Sequence, residues 1–163
     1  MPVIMEESPV RDSMITIKRF LLVLTLLIFF TNCEETVGDI PIPFIDFQDI
    51  EINLDLPAYK DLNIDGRSIY INTGGVRGII LYRESATSYV AFERNCSYDP
   101  NGASSTVEIH SSGFHMTDPS CGSIFQFPAG MPSSGLARSP LRIYKSTLSG
   151  RNLTITDESE NGY

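Results

Sequence analysis

The chain has 163 residues, with 20 acidic and 12 basic side chains, a formal charge of −8 and three cysteines. That length suits one domain with a true core plus an appendage. The acidic balance repels phosphate backbones and no basic cluster interrupts it, which excludes nucleic acid as an expected partner.

The appendage is N-terminal. Lys18-Arg19 precede an apolar stretch, Phe20 to Phe30, broken only by Thr25. It is too short to cross a bilayer as a helix and has the length of a signal-peptide h-region. It runs into Phe30-Thr31-Asn32-Cys33, which resembles a bacterial lipobox. Residues 1–32 are therefore expected to be a signal peptide and Cys33 to carry the lipid, palmitate included. The acidic stretch Met1 to Ser13 is unlike the basic start of such a signal, and Met14 is the expected true start. Cleavage before Cys33 removes Glu6, Glu7 and Asp12 with Arg11, Lys18 and Arg19, so the net charge stays at −8. Glu34-Glu35 are similar to the acidic residues that follow the lipid cysteine in Bacteroidetes lipoproteins exported to the cell surface; a solvated charged linker is the other reading. The expected location is the outer membrane, lipid-anchored, on its periplasmic or its outer face.

From Cys33 to Asp46 the chain contains Gly38, Pro41 and Pro43 without helical periodicity and reads as an extended tether. The domain is expected over 47–156. Ile50, Ile52, Leu54 and Leu56 alternate with Glu51, Asn53 and Asp55, the period of a half-buried strand that Pro57 ends. Short runs follow at 68–71, 78–82, 89–93, 106–110, 124–127, 141–145 and 152–156, separated by Gly, Pro, Asn, Asp or Ser. This spacing, with no long helical period, predicts an all-β antiparallel sandwich or barrel, a single domain followed by a flexible tail at 157–163.

Two loops stand out. One is Arg94-Asn95-Cys96-Ser97-Tyr98; the other is Asp118-Pro119-Ser120-Cys121-Gly122-Ser123-Ile124-Phe125. After the second come Gly130, Gly135-Leu136-Ala137, Pro140-Leu141 and Tyr144. Upstream lie the hairpin-like Gly74–Tyr82 and Tyr89–Phe92, and Leu56-Pro57-Ala58-Tyr59. Together they resemble a Rieske domain, over about Ile69 to Thr156, and within that family the Bacteroidetes-type Rieske-like lipoproteins. A Rieske domain holds a 2Fe–2S cluster with a Cys-x-His and a Cys-x-x-His loop, the second running into Gly-Ser-x-Phe. Only Cys96 matches a ligand. The resemblance places Tyr98 at the first histidine, Asp118 at the second cysteine and Cys121 at the second histidine, and Leu136 replaces the usual third-loop proline.

Several expectations follow from the resemblance. The fold is Rieske-like. A thiolate, a phenol, a carboxylate and a second thiolate are unsuited to the cluster, so no cofactor is expected; a 2Fe–2S electron carrier with non-standard ligation, using Cys96, His115, Asp118 and Cys121, is the alternative. Because both loops converge at the tip in this fold, Cys96 and Cys121 are expected to form a disulfide, which an exported compartment permits. Cys33 is taken up by lipid, which resolves the odd count. The function implied is binding or structural, at a loop tip carrying Tyr98 and meeting an envelope protein or glycan.

Other patterns carry less. His110 is expected to face solvent and His115 to sit on the surface or in loop packing; with the scattered carboxylates they form no zinc or non-haem iron signature, and no metal site is expected. No nucleophile elbow or serine–histidine–acid order is present, so no catalytic residue is assigned. Gly74-Gly75 reads as a turn rather than a phosphate loop. Phe125 and Phe127 are expected in the core.

Overall fold

The computed structural model describes Lys18 and residues 41–162. The chain divides into two units, Met1–Val37 and Gly38–Tyr163, and the fold described here is that of the second. Lys18 apart, the expected signal segment lies outside the described residues, as do the start at Met14, Cys33 and Glu34-Glu35.

Among the described residues of this unit there are ten strands: β1 (Ile50–Asn53), β2 (Ser68–Ile71), β3 (Ile79–Ser85), β4 (Ser88–Glu93), β5 (Glu108–Ile109), β6 (His115–Asp118), β7 (Ser123–Gln126), β8 (Met131–Ser134), β9 (Ile143–Ser149) and β10 (Asn152–Ser159). A six-stranded sheet runs β1-β10-β9-β4-β3-β2 and a four-stranded sheet β5-β6-β7-β8. Every strand pair is antiparallel. The expected all-β antiparallel architecture is present.

The two faces of the large sheet explain its sequence. Successive strand residues point to opposite faces. In β3 and β4, Ile79, Leu81, Tyr89 and Ala91 join one buried cluster with Leu62, Tyr144, Leu153 and Ile155. Ile80 and Phe92 join a second with Val107, Met116 and Phe125 from the small-sheet side. Being covered on both faces, β3 reads as the continuous apolar run Ile79-Ile80-Leu81 rather than as an alternation. Phe127, expected in the core, is partly buried and stacks on Tyr82 with ring centroids 4.2 Å apart.

Several expectations shift. The first strand stops at Asn53, and Pro57–Asn63 forms a 3₁₀ helix with Pro at its start, burying Leu62. The expected 106–110 strand shortens to β5, with Thr106 bridged to Asn95. Strands β6 and β8 were not expected. His115-Met116-Thr117-Asp118 turns Met116 and Asp118 inward, so a carboxylate occupies a position where an apolar residue would have marked the strand. In β8, Pro132 is tolerated because the strand is an edge.

The tether and tail limits also move. Within 41–46 the chain has no regular structure, yet Ile42 is buried and its carbonyl accepts from Arg142 at 2.7 Å. At the other end β10 continues through Ser159, and Asn161 bonds both Ile143 N–H and the Leu141 carbonyl. The segment expected to be a flexible tail is thus held to β9 as far as Asn161.

Candidate functional site

Three loops meet beside the small sheet. The first, 94–107, leaves β4; the second, 119–122, joins β6 to β7; the third, 135–142, joins β8 to β9. The first is clamped by Arg77, whose guanidinium reaches Asn95 Oδ1 at 2.8 Å and the carbonyls of Gly102 and Ala103. Asn95 in turn donates to the Pro100 carbonyl at 2.9 Å. Ser97 Oγ donates to the Ser139 carbonyl at 2.7 Å, tying the first loop to the third.

Ser123 ties the second loop to the third. Its Oγ accepts from Leu136 N–H at 3.1 Å and Ala137 N–H at 2.9 Å, and lies 3.0 Å from Cys121 Sγ. The approach is close enough that a Cβ on Gly135 would overlap the Ser123 backbone, and Gly135 has φ +91°.

Within this frame Cys96 Sγ and Cys121 Sγ lie 3.8 Å apart without a bond between them. Cys121 Sγ is 3.4 Å from Asp118 Oδ2. One donor atom from each of Cys96, Asp118 and Cys121 lies within 4.8 Å of the others. Cys96 and Asp118 are fully buried, whereas Cys121 is partly exposed. Asp118 Oδ1 is held by Ser120 N–H at 2.8 Å and Ser120 Oγ at 2.7 Å, and Ser105 Oγ reaches Oδ2 at 3.4 Å. Burial pushes the Cys96 thiol well above its ordinary pKa; the Tyr98 backbone N–H acts in the opposite direction, and the Asp118 carboxylate adds to the rise.

Of the four positions singled out in the sequence, three converge here. The fourth, Tyr98, has an exposed side chain. His115 does not join: it lies on the face of β6 opposite Asp118 and stacks on the exposed His110, ring centroids 4.2 Å apart. The electron-carrier set that recruited His115 is therefore not assembled. A Rieske-type 2Fe–2S cluster takes two thiolates on one iron and two imidazoles on the other. Two thiolates and one carboxylate, with both imidazoles elsewhere, do not fit it.

Two features escaped the sequence. Glu93 is a fully buried carboxylate at the end of β4, and its oxygens accept from the backbone N–H groups of Val76, Arg77 and Asn95. The signal available was a charged residue ending an apolar strand, which says nothing about burial. A surface cavity of about 710 Å³, lined by Arg67, Tyr82, His110, Phe114 and Phe127 among others, contains none of the three donors.

No protein-family model and no curated protein matches this chain. Among solved structures, a chain from the complex of reduced oxygenase and oxidized ferredoxin in carbazole 1,9a-dioxygenase is similar, with 20% identity and a TM-score of 0.42, covering 60% of this chain and 87% of that one.

Proposed function

We propose that this chain is a lipid-anchored envelope protein whose Rieske-like domain carries no iron–sulfur cluster and serves in binding or as a structural part of an envelope complex. The observation that carries the reading is the Cys96–Cys121 pair: two sulfurs 3.8 Å apart on the two loops that a cluster would otherwise join. A disulfide takes the cluster's place as the staple of those loops, in an exported compartment that permits it. The anchor is Cys33, at the outer membrane.

The binding face is the loop tip. Tyr98 and Leu136 are both exposed there, on loops joined through the Ser97–Ser139 bond. Exposed aromatic and aliphatic side chains on a rigid loop platform anchor protein or glycan contacts.

The test is anaerobic purification with iron and sulfide analysis, beside the mass of the denatured, unreduced protein. Colourless protein with Cys96 and Cys121 protected from alkylation is the expected result. Stoichiometric iron and sulfide with visible absorbance overturns it. Palmitate labelling that survives Cys33→Ala removes the anchor, and the Tyr98→Ala variant recovering the same partners as wild type from envelope membranes removes the tip.

A further inference from the structure

We infer that Cys96, Asp118 and Cys121, in their reduced state, form a mononuclear site for Zn²⁺. The inference uses the thiols of the proposed staple and goes beyond it, since it concerns the state in which the staple is open.

The argument is geometric first. A tetrahedral centre with Zn–S of about 2.3 Å and Zn–O of about 2.0 Å sets its sulfurs about 3.8 Å apart and each sulfur about 3.5 Å from the oxygen. Cys96 Sγ and Cys121 Sγ stand 3.8 Å apart, and Cys121 Sγ stands 3.4 Å from Asp118 Oδ2. Two edges of one face of a zinc tetrahedron are thus in place, and the third, from Cys96 Sγ to the Asp118 carboxylate, spans no more than 4.8 Å and closes on the ion.

The groups around the donors also have the form of a metal site's supporting shell, which orients ligands and spreads their charge. Ser120 occupies Oδ1 of Asp118 with two hydrogen bonds, and Oδ2, which Ser105 Oγ also reaches at 3.4 Å, turns toward Cys121 Sγ as a one-oxygen ligand. Ser123 Oγ already accepts two backbone N–H bonds, so its own hydrogen is available to a Cys121 thiolate 3.0 Å away. Two thiolates select a soft or borderline cation over Mg²⁺ or Ca²⁺, and three donors with a partly exposed Cys121 leave the fourth position to water.

Disulfide and metal exclude each other. Thiol–disulfide exchange with an oxidised dithiol protein joins Cys96 Sγ to Cys121 Sγ; the two electrons and two protons pass to that disulfide, which leaves as two thiols. Both zinc sulfurs are then consumed.

The test uses the full chain with Cys33→Ser, so that the third thiol takes no part, reduced with a phosphine under argon and titrated with Co²⁺. The expected result is one Co²⁺ per chain with a thiolate charge-transfer band and intense tetrahedral visible bands, displaced by Zn²⁺. Asp118→Asn is expected to lower affinity by at least about tenfold, and Ser120→Ala by about tenfold, with circular dichroism of each variant confirming the fold. Absence of the bands in folded, reduced protein overturns the site, and so does an unchanged titration in Asp118→Asn. Mass analysis of the same protein after oxidation separates the two readings. A disulfide without cobalt binding sinks the metal and keeps the staple; cobalt binding without a disulfide supports the metal and sinks the staple.

Discussion

The phenol of Tyr144 on β9 donates to Oε2 of Glu93 on β4 at 2.7 Å, and both side chains are fully buried. The same carboxylate accepts Val76 N–H at 2.7 Å on Oε2, and Arg77 N–H at 3.1 Å and Asn95 N–H at 2.8 Å on Oε1. Four donors from three segments converge on one side chain. The arrangement fixes the residue before Cys96, and so the start of the first site loop.

Glu93→Gln is expected to destabilise the domain substantially. At the Oε1 position the NH₂ faces two backbone N–H donors, and at the Oε2 position one, Val76 N–H, because the Tyr144 hydroxyl can turn to accept. An unmet buried donor costs roughly 1–3 kcal/mol, so a loss of at least about 1 kcal/mol is expected in urea unfolding. A loss below the error of that measurement would mean that the carboxylate is not the acceptor described.

Tyr144→Phe should reveal itself through pH. Burial, followed by the charge and hydrogen bond of Glu93, holds the Tyr144 phenol well above its ordinary value of 10.0. The folded state therefore grips this proton more tightly than the unfolded chain does. Its contribution is present below the unfolded value and is lost as pH rises beyond about 10 toward the folded value. The stability gap between wild type and Tyr144→Phe should stay level through neutral pH and narrow above about pH 10. A gap that widens in alkali contradicts this sign.

The two site thiols should differ in reactivity. Thiolate is the nucleophile, and Cys96 is both buried and pushed up in pKa, whereas Cys121 is partly exposed. In the reduced chain with Cys33→Ser, iodoacetamide should modify Cys121 first, and Cys96 should react only on unfolding. Peptide mapping of a time course shows the order; equal rates at both positions contradict the burial of Cys96.

How much of this was written in the sequence follows from what each side chain does. Alternation and turn residues announced β2 at its observed ends, Ser68 to Ile71, and put β4, β7, β9 and β10 near their places. Strands β6 and β8 were hidden because Asp118 points inward toward thiols and Pro132 sits on an edge, each against the usual pattern. Asp118 and Cys121, which the structure brings beside Cys96, were singled out through their Gly-Ser-x-Phe context, whose serine is Ser123. Ser120 was not, because a serine that holds a carboxylate has the same letter as one in a turn. Glu93 was invisible for a related reason: its partners are backbone N–H groups, which leave no mark in the choice of residue.

Closing the Cys96–Cys121 bond should stabilise the domain. The sulfurs are 25 residues apart in sequence, for which loop-closure entropy gives about 3–4 kcal/mol. Comparing urea midpoints of oxidised and reduced Cys33→Ser chain measures it, and the Cys33→Ser, Cys121→Ser double variant should behave alike in both conditions. Oxidation that lowers the midpoint would show that the loops must deform to bring the sulfurs together.

Two glycines flanking the site separate backbone conformation from close approach. Gly122 and Gly135 both have left-handed φ, +69° and +91°. A Cβ at Gly122 meets nothing within 4 Å, so Gly122→Ala should cost only the conformational penalty, about 1–2 kcal/mol. At Gly135 the added carbon meets the Ser123 Cα and the Gly122 carbonyl, backbone atoms that cannot swing aside. Gly135→Ala must therefore lift the third loop from Ser123, breaking the Leu136 and Ala137 N–H bonds to its Oγ. The expected loss exceeds that of Gly122→Ala by about the two hydrogen bonds, roughly 1–3 kcal/mol. It should also speed alkylation of Cys121, whose sulfur rests on the same oxygen. Equal losses for the two variants, with Cys121 unchanged, would show that the third loop does not hold the site.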